Sequence, residues 1–416
     1  MSALKTITPK IYISPLIVFS VIMFFVCLGD AIMAYVTPVY IEKNTRSPFL
    51  MGLIISTSSL VGVLFDFFIS DKQWHKSYRY FIKTTILLAI LFPITFILFP
   101  AHIFTFLIGM FFWGAYYEYR GFSNFNFIHH FLSKDKHALG WGVILGSMSF
   151  AYLLGSAISS NIIDLGFKYA FIVALIPFVL AFITFKLFIH LYSTHLVNNK
   201  KHVVEMKKGI RIEFRILKTL WKRVWPLFMF SFLIMFVDAC FWTVGILLSE
   251  DLKNTNNFGS LFLVAYMFPP IFTGLLASKF NGRLGKKRTA FITGFIAAIF
   301  LVAIGTGNNI PLVIAYVAIM SIFLNMGHVL HSAAVEDYVA RLGDFGSDIV
   351  TIEQLSGSTA YIVGPILLGF LAETMGYQET FAVAGILLGF VSIICLFMVP
   401  RKLKMPQTEL RNDVSS

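Results

Sequence analysis

Long runs of apolar residues alternate with short polar stretches along the whole chain, and the runs lack the two-residue period of a half-buried strand. Twelve such runs occur, at about 14–39, 49–70, 79–99, 102–128, 139–163, 168–192, 225–248, 258–280, 288–306, 310–334, 349–372 and 377–399. A bilayer core of about 30 Å needs roughly 20 apolar residues in a helix, so each run is of spanning length. Membrane β-strands alternate over roughly ten residues, which excludes a barrel. The pattern predicts an all-α integral membrane protein with twelve transmembrane helices.

Composition agrees: 57% of residues are hydrophobic and 13% charged, against about 45–50% and about 25% in soluble domains. The first run is longer than a signal-peptide core of about 7–15 residues and no small-x-small site closes it, so helix one is expected to act as the insertion signal. Cys27, Cys240 and Cys395 fall inside predicted spans and read as small apolar residues, with no disulfide or metal set.

Charge adds topology. Twelve spans put both termini on one side, and with the termini cytoplasmic the outer loops hold only Lys43, Arg46, Lys168 and Lys253, while nearly all other basic residues fall inside. The net charge of +12 then reflects loops facing anionic membrane lipid, and no nucleic-acid partner is expected. The expectation is a multi-pass plasma-membrane protein with cytoplasmic N- and C-termini. In the largest polar connection, "MKKGIRIEFRILKTLWKRVW" places Ile210, Phe214, Leu217, Trp221 and Val224 at helical spacing, with Lys207, Lys208, Arg211, Arg215, Lys218 and Lys222 on other faces. This predicts a basic amphipathic helix in the membrane interface, coupling two halves; a calmodulin-like partner site fits the same pattern.

The chain repeats itself. Asp30 in "FFVCLGDAIMAYV" and Asp238 in "FLIMFVDACFWTV" stand 208 positions apart, and Glu42 and Glu250 keep that offset. "SFAYLLGSAISSNIIDLGFKYAFIVA" from Ser149 reads against "STAYIVGPILLGFLAETMGYQETFAVA" from Ser358, matching Gly155 to Gly364, Asp164 to Glu373 and, after a one-residue slip, Phe171 to Phe381 and Ala174 to Ala384. Matched charges and glycines at one offset over several helices indicate a duplication. It divides the chain into an N-terminal six-helix half (1–192), a basic linker (193–224), a C-terminal half (225–400) and a tail (401–416).

Two parallel six-helix halves joined by a long basic loop resemble the major facilitator superfamily of transporters, over residues 15–400. The resemblance implies two pseudosymmetric bundles in a monomer, a small-molecule substrate held between them near the bilayer midplane, and alternating access as the halves rock. It also implies that the first helix of each half lines the cavity, with Asp30 and Asp238 facing each other across the path. The family's loop motif is split. "GVLFD" supplies Gly62 and Asp66 without the basic turn, whereas "GLLASKFNGRLGKKR" has Ser278 where the acid belongs but keeps Lys279, Gly282, Arg283, Gly285, Lys286, Lys287 and Arg288. A carboxylate at a helix end beside a basic loop suits a conformational latch; a helix-end acid and a topology signal are the plainer reading. Where the family's drug/proton antiporters carry GPxxGG, this chain has "GSAISS" from Gly155, and helix eleven has "GPILLG" with Gly364 and Pro365, a bendable segment. The antiporters' helix-four arginine is replaced by Met110 at the matching spacing. "LGDAIMAYVTPVYIE", with Asp30 and Pro38, resembles their first helix.

A central aspartate costs roughly 2.5–3.5 kcal/mol on insertion scales, so two cost about 5–7, comparable to a whole net stability of about 5–15 kcal/mol. Asp30 and Asp238 therefore read as proton carriers or contacts for a cationic or polyhydroxyl substrate, or else as hydrogen-bonded structural groups. On helix four, Glu118 and Arg120 are two apart and point to different faces. One is expected to line the cavity, Glu118 suited to a proton or cation and Arg120 to an anion; a fixed interhelical salt bridge is the competing expectation. His328 and His331, one turn apart on helix ten, suggest a proton relay, a metal pair or ordinary interior histidines. Phe241 and Trp242 beside Asp238 suit an apolar pocket wall.

No Walker motif, cofactor signature or enzyme signature is present, so the energy source expected is the proton gradient. The reading is a secondary transporter, not an enzyme, performing proton-coupled export of an amphipathic or cationic compound. Proton-coupled uptake of a sugar, amino acid or organic acid, and a transporter-like nutrient sensor, remain as alternatives.

Overall fold

The computed structural model describes residues 14–72, 76–133, 136–192, 210–279, 285–342 and 346–399, and all regular structure among them is helical. The first half comprises α1 (Pro15–Thr45), α2 (Pro48–Lys72), α3 (Tyr78–Leu98), α4 (Ile103–Phe131), α5 (His137–Ile163) and α6 (Phe167–Leu191). The second comprises α7 (Ile210–Trp242), α8 (Val244–Thr255), a 3-10 turn at Asn257–Leu261, α9 (Phe262–Met267), α10 (Pro270–Lys279), α11 (Lys286–Thr306), α12 (Ile310–Leu342), α13 (Gly346–Met375) and α14 (Tyr377–Met398).

Ten of the twelve expected spans are helices long and apolar enough to cross a membrane. The fourth, α4, is a continuous helix whose tyrosines, asparagines, Glu118 and Arg120 lower its hydropathy. The eighth is interrupted, because Pro269 and Pro270 lack amide hydrogens and their rings crowd the preceding turn, so α9 stops at Met267 and α10 restarts at Pro270. The seventh also breaks, at Thr243, whose hydroxyl donates back to the Ala239 carbonyl at 2.6 Å. The expected interfacial helix is not a separate element: α7 runs unbroken from Ile210 through Pro226 to Trp242. Its Ile216, Leu220 and Val224 are buried in the second half's core, and Trp221 is left exposed. The remainder of the linker and the tail lie outside the described residues.

The duplication is visible in packing. α1 lies against α5 and α6 as α7 lies against α13 and α14, and α3 meets α4 and α6 as α11 meets α12 and α14. Gly166 before α6 and Gly376 before α14 turn the chain at φ +102° and +107°, a region open to residues without a Cβ. Each half has its own buried cluster, and the two exchange a residue: Tyr35 of α1 packs in the second core and Leu247 of α8 in the first. The halves meet where α2 packs on α13 and where α5 meets α9 and α10. Along α2–α13 a Cβ on Gly52 would sit 1.9 Å from the Pro365 carbonyl oxygen, and one on Gly369 2.4 Å from that of Pro48. Alternating helix directions gather the connections after α1, α3, α5, α11 and α13 on one face, called the far face below; α1 begins and α14 ends on the near face.

Candidate functional site

Asp30 is only 1% exposed. α5 approaches α1 at Gly155, where a Cβ would sit 2.4 Å from that of Ala31, and one turn away Tyr152 donates its hydroxyl to Asp30 Oδ2. α4 supplies the other partners: Trp113 Nε1 donates to Asp30 Oδ1 at 2.9 Å, and Arg120 Nη1 reaches Oδ2 at 3.1 Å. Arg120 also donates to the hydroxyls of Tyr116 and Tyr152, at 3.1 and 2.9 Å, and stacks over Tyr117 at 4.5 Å. The result is a buried ion pair wrapped in aromatic rings. Met110 does stand where the antiporter spacing looks for arginine, yet an arginine ten residues further along the same helix occupies the interior.

Asp238 has a different cage. α13 packs on α7 at Gly364, where a Cβ would stand 3.3 Å from that of Ala239, and Tyr361, one turn earlier, donates to Asp238 Oδ2. Tyr266 of α9 donates to Oδ1; its ring stacks on Phe241 at 3.9 Å and its carbonyl accepts from Ser321 at 2.7 Å. Among the described residues no cation pairs with Asp238. Tyr152 and Tyr361 stand at the same offset as Ser149 and Ser358, so the helix-five tyrosine and its repeat each hold the repeated aspartate. Each carboxylate is thus satisfied inside its own half; the Tyr152 ring meets Trp242, 5.5 Å between centroids, and Tyr117 of the first cluster interacts with Tyr361 of the second.

A cavity of about 430 Å³ lies between the halves toward the near face, lined by Asp66, Glu118, Gly121, Phe122, Phe125, Trp141 and Gln354. Gly62 of α2 makes room for Glu118, since a Cβ there would stand 3.0 Å from its Oε1. Neither aspartate is among the lining residues. Glu118 and Asp66 make no hydrogen bond or ion pair among the described residues, whereas Arg120 is occupied by Asp30.

At the far face the halves are joined by polar contacts. Glu250 Oε1 of α8 accepts from Tyr35 of α1 and Ser160 of α5, each at 2.7 Å. Lys253 donates to the Ser160 carbonyl and to Asp164, each at 2.8 Å. Glu373 of α13 accepts from Ser47 at 2.5 Å and from the Phe49 amide at 3.0 Å.

The histidines separate. His331 Nε2 lies 3.2 Å from Glu353 Oε1, which also accepts from Ser231 at 2.5 Å, and His328 sits half-buried one turn away. Among the described residues no group of three or more His, Cys, Asp or Glu side chains is arranged to hold a metal. Gly282 and Arg283 lie outside the described residues; Gly285 precedes α11 at φ +79° and Lys286 bridges to Asp337 at 3.0 Å. Pro365 lies inside α13 without ending it.

Sequence reasoning missed Trp113, Tyr266, the aromatic lining and the far-face partners of Glu250. Tyr152 and Tyr361 had a signal, since both stand in the repeated segment that carries Gly155 and Gly364.

The family model of the Major Facilitator Superfamily matches residues 19–238 and again 227–415. No curated protein matches the chain. Among solved structures, a POT family transporter in complex with a thioalcohol-conjugated peptide is 15% identical, with a TM-score of 0.67 over 93% of this chain and 96% of that one. The nucleoside transporter NupG is 12% identical, with a TM-score of 0.73 over 93% and 99%. The human organic anion transporter MFSD10 (TETRAN) is 14% identical, with a TM-score of 0.63 over 91% and 98%. At such identities the likeness is one of fold alone. The two matches of the family model, together covering residues 19–415, make this multi-pass membrane protein a member of the major facilitator superfamily.

Proposed function

We propose that the chain is a proton-driven secondary transporter of the plasma membrane that exports a cationic, amphipathic compound. The observation carrying this reading is the cavity between the halves. Its volume of about 430 Å³ falls within the roughly 300–1,000 Å³ of ligand pockets, and it combines two carboxylates that have no hydrogen bond or ion pair among the described residues with Phe122, Phe125 and Trp141. Cations over aromatic faces gain about 0.5–2 kcal/mol, and a carboxylate adds charge recognition while the nearby Arg120 is ion-paired to Asp30. With the near face cytoplasmic, as the basic loops indicate, the far-face contacts seal the outside and the cavity meets the cytoplasm. A solute loaded from that side suits export.

The test is equilibrium binding of radiolabelled tetraphenylphosphonium to the purified chain in nanodiscs. Glu118→Gln is expected to weaken binding about tenfold or more, the effect of about 1.4 kcal/mol, and Asp66→Asn to weaken it less. Equal affinity in both variants and the parent, or competition by organic anions instead of cations, overturns the reading.

A further inference from the structure

The duplicated aspartates have acquired different partners, and the difference is one of proton chemistry. An indole N–H and a guanidinium donate hydrogen bonds and accept none, while a tyrosine hydroxyl does both. Asp30 faces Trp113 Nε1, Arg120 Nη1 and Tyr152. A proton on Asp30 would confront groups that are mostly donors and would strip the buried Arg120 of its counter-ion, the circumstance in which a buried charge is most costly. The Asp30 carboxylate thus meets three donors and serves as the counter-ion of Arg120. Asp238 faces two hydroxyls, Tyr266 on α9 and Tyr361 on α13. As an anion it accepts from both; once protonated it donates to one and accepts from the other, keeping the same number of hydrogen bonds. Among the described residues the other elements packed on α7, namely α8, α12 and α14, bring no charged partner to it; the further titratable groups beside the cluster are Cys240 of α7, near Tyr266, and Tyr117 of α4, near Tyr361, while Glu353, paired with His331, engages Ser231 about two turns along α7.

We propose that Asp238, and not Asp30, takes up and releases the coupled proton, with Tyr266 and Tyr361 as positioning residues that preserve its hydrogen bonding in both states. This rests on the proton-coupled reading above. The O–H bond forms on the Asp238 carboxylate with a proton from water admitted on one side, and breaks to water when the other side opens. Tyr361 also gives the change a route outward. It stands one turn before Pro365 on α13, whose carbonyl oxygen touches Gly52 of α2 across the seam, so re-aiming Tyr361 bears on the contact that must part for the halves to rock.

The test needs no substrate, so it fails independently of the substrate reading. Infrared difference spectra of the full chain in nanodiscs, recorded between high and low pH, report the carbonyl-stretch band of carboxyls that gain a proton. Asp238→Asn is expected to remove one component of that band, and Asp30→Asn with Arg120→Gln to leave the component in place. Tyr361→Phe should keep it but move it to higher frequency, the signature of a lost hydrogen bond that a merely structural tyrosine would not produce. A component lost with Asp30 and retained without Asp238, or lost with neither, overturns the proposal.

Discussion

Removing the charge of Asp30 should cost the fold more than removing both members of its ion pair. In Asp30→Asn the Arg120 guanidinium, whose side chain is 13% exposed, stays buried among Tyr116, Tyr117 and Tyr152 with no anion. Breaking a buried pair by deleting one partner costs about 3–5 kcal/mol, and Arg120→Gln should cost a similar amount by stranding Asp30. In the double variant no uncompensated charge remains, and the loss falls below that of either single change. Thermal unfolding read by a thiol-reactive fluorophore suits the measurement, because Cys27, Cys240 and Cys395 are all buried. At about 2–4 °C per kcal/mol for a unit of 150–250 residues, each single variant should lose roughly 6–20 °C of apparent Tm, and the double variant less. Losses that simply add in the double variant would refute the reasoning.

Three further outcomes follow from the seam. Gly52→Val drives a side chain into the Pro365 carbonyl, a backbone atom that cannot rotate away, and should part α2 from α13; cysteines at Ser47 and Glu373 would then cross-link more slowly than in the Gly52 parent. Glu250→Ala removes the acceptor that Ser160 shares with Tyr35, although Tyr35 keeps Ser249 Oγ at 3.1 Å, and should raise labelling of a cysteine at Ser160 from the far face. Lys253→Met removes an ion pair whose Asp164 side is 61% exposed, worth about 1 kcal/mol at most, together with the donation to the Ser160 carbonyl, and should lower thermal stability by about 1–3 kcal/mol.

The spans were legible in the sequence because run length and uniform apolarity dictate helices in lipid, and the duplication because carboxylates recur at an offset of 208 (Asp30 and Asp238) and a glycine and an acid at 209 (Gly155 and Gly364, Asp164 and Glu373). Breaks were not. Thr243 and the Pro269–Pro270 pair sit inside apolar runs whose hydropathy masks backbone interruption, and α7 continues into the amphipathic stretch because no stop signal intervenes. The different faces of Glu118 and Arg120 were readable from their spacing, but which helix each would meet was not, since Asp30 lies ninety positions from Arg120 and only the bundle joins them. The far-face contacts pair residues from opposite halves, such as Tyr35 with Glu250, 215 positions apart, and no local pattern announces such a partner.

The central claim, that protons drive a cation through the cavity between the halves, is tested most directly by flux in proteoliposomes of the full chain carrying an interior pH dye. Adding tetraphenylphosphonium outside should move protons in the opposite direction to the cation, and the signal should disappear with Glu118→Gln and with Asp238→Asn. Proton movement evoked only by sugars, amino acids or organic anions, or cation flux indifferent to both carboxylates, would contradict the account.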